Sequence, residues 1–244
     1  MNFIDQLDPE LRVVVEKLPT DRPLDLNDIQ AARPKMKKMV TALLANLPAV
    51  EGVTSQDQIA PGAQGDHAVR VRIYRPDNHP SKLPALYWIH GGGYVMGDIE
   101  QDDRLMKQLV KRVSCVAVSV DYRLAPEHPF PAPVEDCYAG LKWLFGHADE
   151  LGVDRSRIAI AGASGGGGLC AGLALLTRDR GEFCPAFQLL IYPMIATLLL
   201  PAMRLPTRVC GIARATALAG KLTWAATVAG PMYRLMRQRR GLRI

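Results

Sequence analysis

Residues 158–175 (IAIAGASGGGGLCAGLAL) contain the feature that decides the fold. The apolar run at 158–162 predicts a short buried strand, and residues 167–181 predict a helix that ends at Gly181. Between these segments, Gly162-Ala163-Ser164-Gly165-Gly166 forms the pattern G-x-S-x-G. Small neighbours are what a sharp strand-to-helix turn requires, because a strained serine leaves no space for side chains on either side.

Ser164 is the candidate nucleophile of this turn. At the N-terminus of a helix, its Oγ would lie where the helix dipole favours a developing negative charge. The alternative is a glycine-rich turn that contains an incidental serine.

A second glycine-rich block, His90-Gly91-Gly92-Gly93-Tyr94, follows the apolar run at 83–90. Consecutive glycines let backbone N–H groups point outward without an obstructing Cβ, as binding of a tetrahedral oxyanion requires. Taken alone, the block also suits a phosphate-cradling loop or a flexible turn. Both blocks follow predicted strands, and this shared position favours an acyl-transfer site.

The rest of residues 49–195 alternates between strand and helix patterns. Strands are predicted at 69–76, 115–123 and 187–194, and helices at 101–112 and 134–151. Such alternation predicts βαβ units and a mostly parallel sheet flanked by helices. Residues 1–48 form two helical, polar segments, the second capped by Asp25 or Asn27.

Three blocks carry a resemblance to a known family: HGGGYVMGD (90–98), VSVDYRLAPEHPFPAPVEDCYAGLKWL (118–144) and residues 158–175. Over roughly residues 1–195 the chain resembles the hormone-sensitive-lipase-like family of α/β-hydrolase esterases. The resemblance implies an α/β-hydrolase core at 49–195 with a helical cap at 1–48. It also implies hydrolysis of uncharged carboxylic esters with short to medium acyl chains, without a cofactor.

By this resemblance Ser164 is the nucleophile, and the N–H groups of Gly92, Gly93 and Gly165 form the oxyanion hole. Ala163 and Gly165 stand where the family often has Asp and Ala. The residues expected to support these motifs structurally are His90, which would hydrogen-bond backbone, and Gly91, Gly162 and Gly166. Those expected to satisfy loop groups without doing chemistry are Arg123, Glu127 and Asp136.

An α/β-hydrolase triad needs an acid and then a histidine after the serine. After Ser164 the sequence contains only Asp179 and Glu182 as acids, and no histidine. The triad acid and histidine are therefore not identifiable. His90 and His128 belong to blocks that border the family's site, which makes them the plausible substitute bases. The remaining histidines, His67, His79 and His147, lie in segments with no predicted position near the serine.

The charge distribution changes abruptly near the end of the chain. Residues 1–182 hold 21 Lys and Arg and all 24 Asp and Glu, a net charge of −3, whereas 183–244 hold 9 Lys and Arg and no acid. Residues 196–244 are rich in Ala, Arg, Gly and Pro, as expected of GC-rich DNA translated in another frame. The leading hypothesis is a frameshift near residue 195. The rival is a genuine basic tail for an anionic membrane or nucleic acid.

Several functional classes have little support. No His, Cys or carboxylate spacing suits a metal, and no G-x-G-x-x-G opens a βαβ unit. Five scattered cysteines predict buried thiols in a reducing compartment, and neither a signal peptide nor a membrane span is visible. A soluble cytoplasmic protein without a nucleic-acid partner is expected. Two alternatives to an active esterase remain: an inactive remnant that only binds small esters, and an interaction protein that uses its basic tail. Because the resemblance stops near residue 195, the family's last two strands are expected to be missing. Strand 187–194 would then be an exposed sheet edge, which favours self-association.

Overall fold

A computed structural model describes residues 3–15, 25–45, 47–62, 67–79 and 82–195. It contains a six-stranded sheet formed by β1 (Val53–Pro61), β2 (Ala68–Pro76), β3 (Leu83–Ile89), β4 (Val116–Val120), β5 (Val153–Ala163) and β6 (Phe187–Ile191). After a short 3₁₀ helix (Phe3–Gln6), the helices are α1 (Pro9–Val15), α2 (Ile29–Leu44), α3 (Asp103–Val113), α4 (Ala132–Gly146) and α5 (Gly165–Arg180).

The strand order is β1-β2-β4-β3-β5-β6. Strands β4, β3, β5 and β6 are parallel, while β1 pairs antiparallel with β2 and β2 pairs antiparallel with β4. The carboxyl ends of the parallel strands therefore share one edge, where the loops after β3 and β5 meet. The predicted mostly parallel sheet with flanking helices is confirmed.

Helices cover both faces of the sheet. Successive residues of a strand point to opposite faces, so neighbouring apolar side chains of one strand pack against different helices. On one face Tyr87 packs among residues of α4 and α5, and its hydroxyl donates to the Cys137 carbonyl at 2.9 Å. On the other face Trp88 packs with Met106 and Val110 of α3. All five residues of β4 are buried, which explains why the strand is apolar apart from Ser119 and does not alternate.

Sequence patterns missed one strand and misplaced one helix cap. Strand β1 was not predicted because most of its residues are polar and exposed, so neither an apolar run nor an alternation marks it. The N-cap of α2 is Asp28, whose side chain accepts from the Ala31 N–H. Asp25, one of the two residues predicted as caps, instead accepts from the N–H of Asn27, the other.

Strand β6 forms an edge in the described part of the chain, since β5 is its pairing partner there. Its residues Phe187 and Leu189 are exposed, as are Tyr192 and Ile195 just beyond it. Three cysteines are buried as predicted, but Cys184 is exposed, a correction to the sequence expectation; Cys210 and the whole of 196–244 lie outside the described residues. Among the helices described, none has the length and apolarity to cross a membrane.

Candidate active site

Ser164 lies at the turn between β5 and α5, as predicted. Its backbone has φ 54° and ψ −118°, a conformation that costs a non-glycine residue of order 1–3 kcal/mol. Three backbone hydrogen bonds hold it: the Ser164 N–H donates to the Ile191 carbonyl at 3.0 Å, and the Ser164 carbonyl accepts from the N–H groups of Gly168 at 3.1 Å and Met194 at 2.8 Å. The turn therefore presents the serine side chain at the carboxyl edge of the sheet, partly exposed.

The glycines around Ser164 are required by close backbone packing. A Cβ on Gly162 would overlap the Gly166 carbonyl, and a Cβ on Gly166 would overlap the carbonyl oxygens of Ile89 and His90. The first contact closes the turn on itself. The second lets α5 begin directly against the end of β3, which brings the two glycine-rich blocks together.

Gly165 packs against the HGGG loop. A Cβ built on Gly165 would lie 3.0 Å from the backbone nitrogens of both Gly93 and Tyr94. Similarly, a Cβ on Gly91 would lie 3.0 Å from the Ala163 carbonyl oxygen. The loop after β3 and the turn after β5 are thus in backbone contact.

The direction of the Gly92 N–H follows from the carbonyl on the same peptide unit. The Gly91 carbonyl accepts from His90 Nδ1 at 2.8 Å and from Gln101 Nε2 at 3.3 Å. In a trans peptide the C=O and the following N–H point in opposite directions. The Gly92 N–H therefore points away from His90 and Gln101.

The same argument applies to the Gly93 N–H. The Gly92 carbonyl accepts from the N–H groups of Val95 at 3.2 Å and Met96 at 3.0 Å, so the Gly93 N–H points away from that turn. Gly92 has φ 130°, and a Cβ there would overlap the Met96 carbonyl. This position therefore requires glycine.

Gly165 is the first residue of α5, so its N–H has no acceptor within the helix. The preceding carbonyl, that of Ser164, is taken up by Gly168 and by Met194 at 2.8 Å. This N–H and the two loop amides are therefore the candidate donors to an oxyanion.

His90 is fully buried beneath the loop. Its ring stacks on Tyr122 with centroids 4.2 Å apart, and the Tyr122 hydroxyl donates to the His90 carbonyl at 2.9 Å. Because the Gly91 carbonyl can only accept, Nδ1 carries the proton, and burial lowers the pKa of His90. His90 Nε2 is buried without a hydrogen-bond partner among the described residues. The predicted backbone contact of His90 is therefore present.

Asp136 and Arg123 pair as predicted for loop-stabilising residues. The Asp136 carboxylate, 1% exposed, accepts from the Arg123 N–H, Nε and Nη2 at 2.8–2.9 Å. It also contacts His67 Nε2 at 2.6 Å. The prediction for Glu127 needs correction, because this residue is exposed and its side-chain partners among the described residues are Gln30 and Arg33 of α2.

The two acids that follow Ser164 lie at the far end of α5. Asp179 is 15 residues along the helix, about 22 Å away at 1.5 Å per residue, and it accepts from Arg178. Glu182 accepts from the Tyr138 hydroxyl and pairs with Lys142. Neither carboxylate is positioned to orient a base at Ser164.

Among the histidines, His67 directly precedes β2. Two strands, β4 and β3, lie between β2 and β5 in the sheet. At about 4.8 Å per strand, β2 and β5 are about 14 Å apart across the sheet, and the ring of His67 contacts Asp136 of α4. His79 follows the carboxyl end of β2 and His147 caps the C-terminus of α4, at the opposite edge of the sheet. His128 is exposed in the loop after β4, where its N–H donates to Leu124.

Sequence reasoning missed three residues that hold the loop and the turn in place: Arg33, Tyr94 and Met194. The Tyr94 hydroxyl donates to the Met194 carbonyl at 2.5 Å, and Arg33 binds the Val95 carbonyl at 2.7 Å. The position of Tyr94 directly after the glycine block was a sequence signal that could have identified it. No local pattern marks Arg33, an ordinary arginine on a polar helix.

Comparisons with known proteins identify the family and relatives of the chain. A family model described as the alpha/beta hydrolase fold matches residues 86–231. The carboxylesterase NlhH of Mycobacterium tuberculosis is 37% identical over 198 residues, which are 80% of this chain and 60% of that protein. The esterase LipI of the same species is 37% identical over 189 residues, 77% of this chain and 57% of that protein. The chain thus spans about 60% of the length of these curated relatives.

Solved structures give the same result. A bacterial heroin esterase superposes with a TM-score of 0.76 at 37% identity, covering 89% of this chain and 68% of that one. An esterase of Pyrobaculum calidifontis superposes with a TM-score of 0.74 at 38% identity, covering 88% and 69%.

Proposed function

We propose, from the premise that the chain belongs to the hormone-sensitive-lipase-like family of α/β-hydrolase esterases, that its site performs acyl transfer on small carboxylic esters. Ser164 is the nucleophile, and the N–H groups of Gly92, Gly93 and Gly165 stabilise the oxyanion. The observation that carries this proposal is the fixed direction of those three N–H groups. The carbonyl of each of the same peptide units accepts hydrogen bonds on the opposite side.

In the mechanism, the ester carbonyl carbon lies near Ser164 Oγ and its oxygen faces the three amides. As Oγ adds to the carbon, the oxygen becomes negatively charged, and preorganised donors stabilise that charge without reorganising. The proton of the Ser164 hydroxyl passes through solvent water to the departing oxygen, since no base among the described residues adjoins the serine. Collapse of the intermediate then breaks the ester C–O bond, releases the alcohol and leaves an acyl-serine, which water hydrolyses to the carboxylic acid and free serine. The chain supplies this electrostatic part of the catalysis from backbone groups.

The proposal includes a weak nucleophile. A serine hydroxyl keeps a high pKa unless an adjacent base takes its proton, and the sequence has no histidine after Ser164. The five histidines all lie among the described residues, and His90 is held by Gly91 and Tyr122 and is not directed at the serine. We therefore propose that this chain acylates slowly.

The frameshift hypothesis stays a proposal of its own. The family model matches residues 196–231 as well as the core, which argues for native sequence in that stretch, while the absence of any acid after Glu182 argues against it. Resequencing the source DNA tests it. An intact frame, with no alternative frame nearby that encodes an acid and a histidine, would rule it out.

Labelling with a fluorophosphonate, followed by peptide mass spectrometry, tests the assignment of Ser164. Because the reaction is irreversible, a slow nucleophile still accumulates product over hours. We expect label on Ser164, none at that peptide in Ser164→Ala, and full labelling in Ser156→Ala, whose serine is exposed far from the site beside Asp154. Complete absence of label on Ser164 would favour the inactive remnant that only binds esters.

A further inference from the structure

We propose that Arg33 is a positioning residue for the oxyanion hole: from α2, it fixes the turn that directs the Gly93 N–H. This inference rests on the proposed function for its catalytic meaning. The contacts that carry it are independent of whether Ser164 reacts.

Arg33 bridges two loops that meet at the site. Its Nε donates to the Val95 carbonyl at 2.7 Å, and its Nη2 donates to the Ala125 carbonyl at 2.9 Å. The outer edge of the guanidinium pairs with both carboxylate oxygens of Glu127, at 2.9 and 2.7 Å. A planar fork of donors is needed for all four bonds at once, and a lysine ammonium lacks it.

The contact with Val95 reaches the oxyanion loop through one tight turn. The Val95 N–H donates to the Gly92 carbonyl. The peptide unit that contains this carbonyl also contains the Gly93 N–H, which points in the opposite direction. Fixing Val95 from outside therefore restricts rotation of the Gly92–Gly93 peptide. Tyr94 adds a second restraint between the same loops, since its carbonyl accepts from the Ala125 N–H at 3.0 Å.

Apolar packing places Arg33 for this task. Ile29, one turn earlier on α2, is buried in a cluster with Val95, Met96 and Ala125. This packing puts α2 directly on the turn. A second cation on α2, Lys37, pairs with Asp98 at 2.7 Å and, in the part of the chain that the structure describes, binds no backbone carbonyl, so it provides a matched control.

Amide hydrogen exchange at Val95 and Met96 tests the proposal, because both amides bond to the Gly92 carbonyl. Loss of charge-assisted bonds worth about 1.5 kcal/mol corresponds to roughly tenfold faster local exchange. We expect that rise in Arg33→Ala and in Arg33→Lys, and a change of no more than about twofold in Lys37→Ala. The buried strand β4 should exchange at an unchanged rate in all three, which shows that each variant is folded.

Steady-state hydrolysis of p-nitrophenyl acetate supplies a second readout. A displaced oxyanion donor lowers kcat and leaves KM unchanged, because it acts in the transition state and not on the bound ester. Two exchange results would overturn the proposal. One is unchanged exchange at Val95 and Met96 while α2 exchanges faster, which would mean that Arg33 only docks the helix. The other is an equal rise in Lys37→Ala. The exchange result tests the positioning role of Arg33 even if Ser164 proves unreactive. Failure of this inference and failure of the proposed function are therefore distinguishable.

Discussion

The carbonyl oxygen of Ser164 accepts a hydrogen bond from the N–H of Met194, with the two atoms 2.8 Å apart. The Met194 carbonyl in turn accepts from the hydroxyl of Tyr94, the residue that follows the HGGG glycines. The segment after β6 therefore joins the serine turn to the oxyanion loop. A change in this segment therefore alters the contacts of both the serine turn and the oxyanion loop.

Tyr94→Phe should lower the free energy of unfolding by about 1 kcal/mol, because it removes the part-buried hydrogen bond from the Tyr94 hydroxyl to the Met194 carbonyl. Tyr94 is 7% exposed, whereas Tyr192 is 75% exposed, so Tyr192→Phe is the matched control and should be neutral. Urea denaturation of the two variants measures the difference. Equal stabilities would show that the bond to Met194 contributes nothing.

Gly166→Ala should destabilise the fold by about 3 kcal/mol or more, since its Cβ would overlap backbone carbonyls of Ile89 and His90 that cannot move independently. Gly146→Ala, at the last residue of α4, meets no atom within 4 Å and should be neutral or stabilising by up to about 1 kcal/mol. Thermal unfolding of both proteins checks the pair. A stable, well-folded Gly166→Ala protein would contradict the close packing of the two blocks.

The buried, neutral ring of His90 should make stability depend on pH. Burial lowers the pKa of His90 in the folded protein from its ordinary value of 6.5, so below pH 6.5 the unfolded chain binds a proton that the folded chain does not. The contribution of neutral His90 to the free energy of unfolding is therefore fully present above pH 6.5. It is lost as the pH falls, by at most about 1.4 kcal/mol per pH unit. His90→Asn keeps a donor near the Nδ1 position and cannot titrate, so its unfolding free energy should fall less between pH 6.5 and 5. Parallel pH profiles for the two proteins would contradict this.

Strand β6 should promote self-association, because an apolar, uncharged edge is a template for pairing with another chain. A charge on that edge opposes pairing, so Leu189→Lys should shift the protein toward monomer. Leu189 is 44% exposed, and Ile59 on the opposite edge strand is 58% exposed, which makes Ile59→Lys the control. Light scattering across a concentration series measures both. Monodisperse monomer at high concentration in a chain that ends at residue 195 would rule out association through β6.

The predictable parts of the fold and the site are the local ones. Apolar runs mark β3, β4 and the second half of β5, where most residues are buried. The glycines at 162 and 166 mark the turn because backbone contact excludes any side chain. Strand β1 escaped prediction because its polar residues face solvent and its place depends on pairing with β2.

Long-range pairings escaped prediction for a different reason. The contact of Arg33 with Val95 spans 62 residues, and that of Tyr94 with Met194 spans 100. Each joins an ordinary side chain to a backbone carbonyl, and a carbonyl has no sequence signature. These contacts become visible only when the topology brings the segments together.

Turnover of p-nitrophenyl acetate by the wild-type chain and by Ser164→Ala tests the central claim, that an assembled oxyanion hole faces a serine without a base. In a serine protease, loss of the nucleophile or histidine costs on the order of 10⁶ in kcat, while the oxyanion hole and substrate binding still leave about 10³–10⁴ over water. We predict feeble hydrolysis that changes little in Ser164→Ala, because without a base the acylation of Ser164 is no faster than direct attack of water on an ester held in the oxyanion hole; His90→Ala and His128→Ala are measured alongside. Rapid hydrolysis that disappears in Ser164→Ala would contradict the account, and loss in one histidine variant would identify the base.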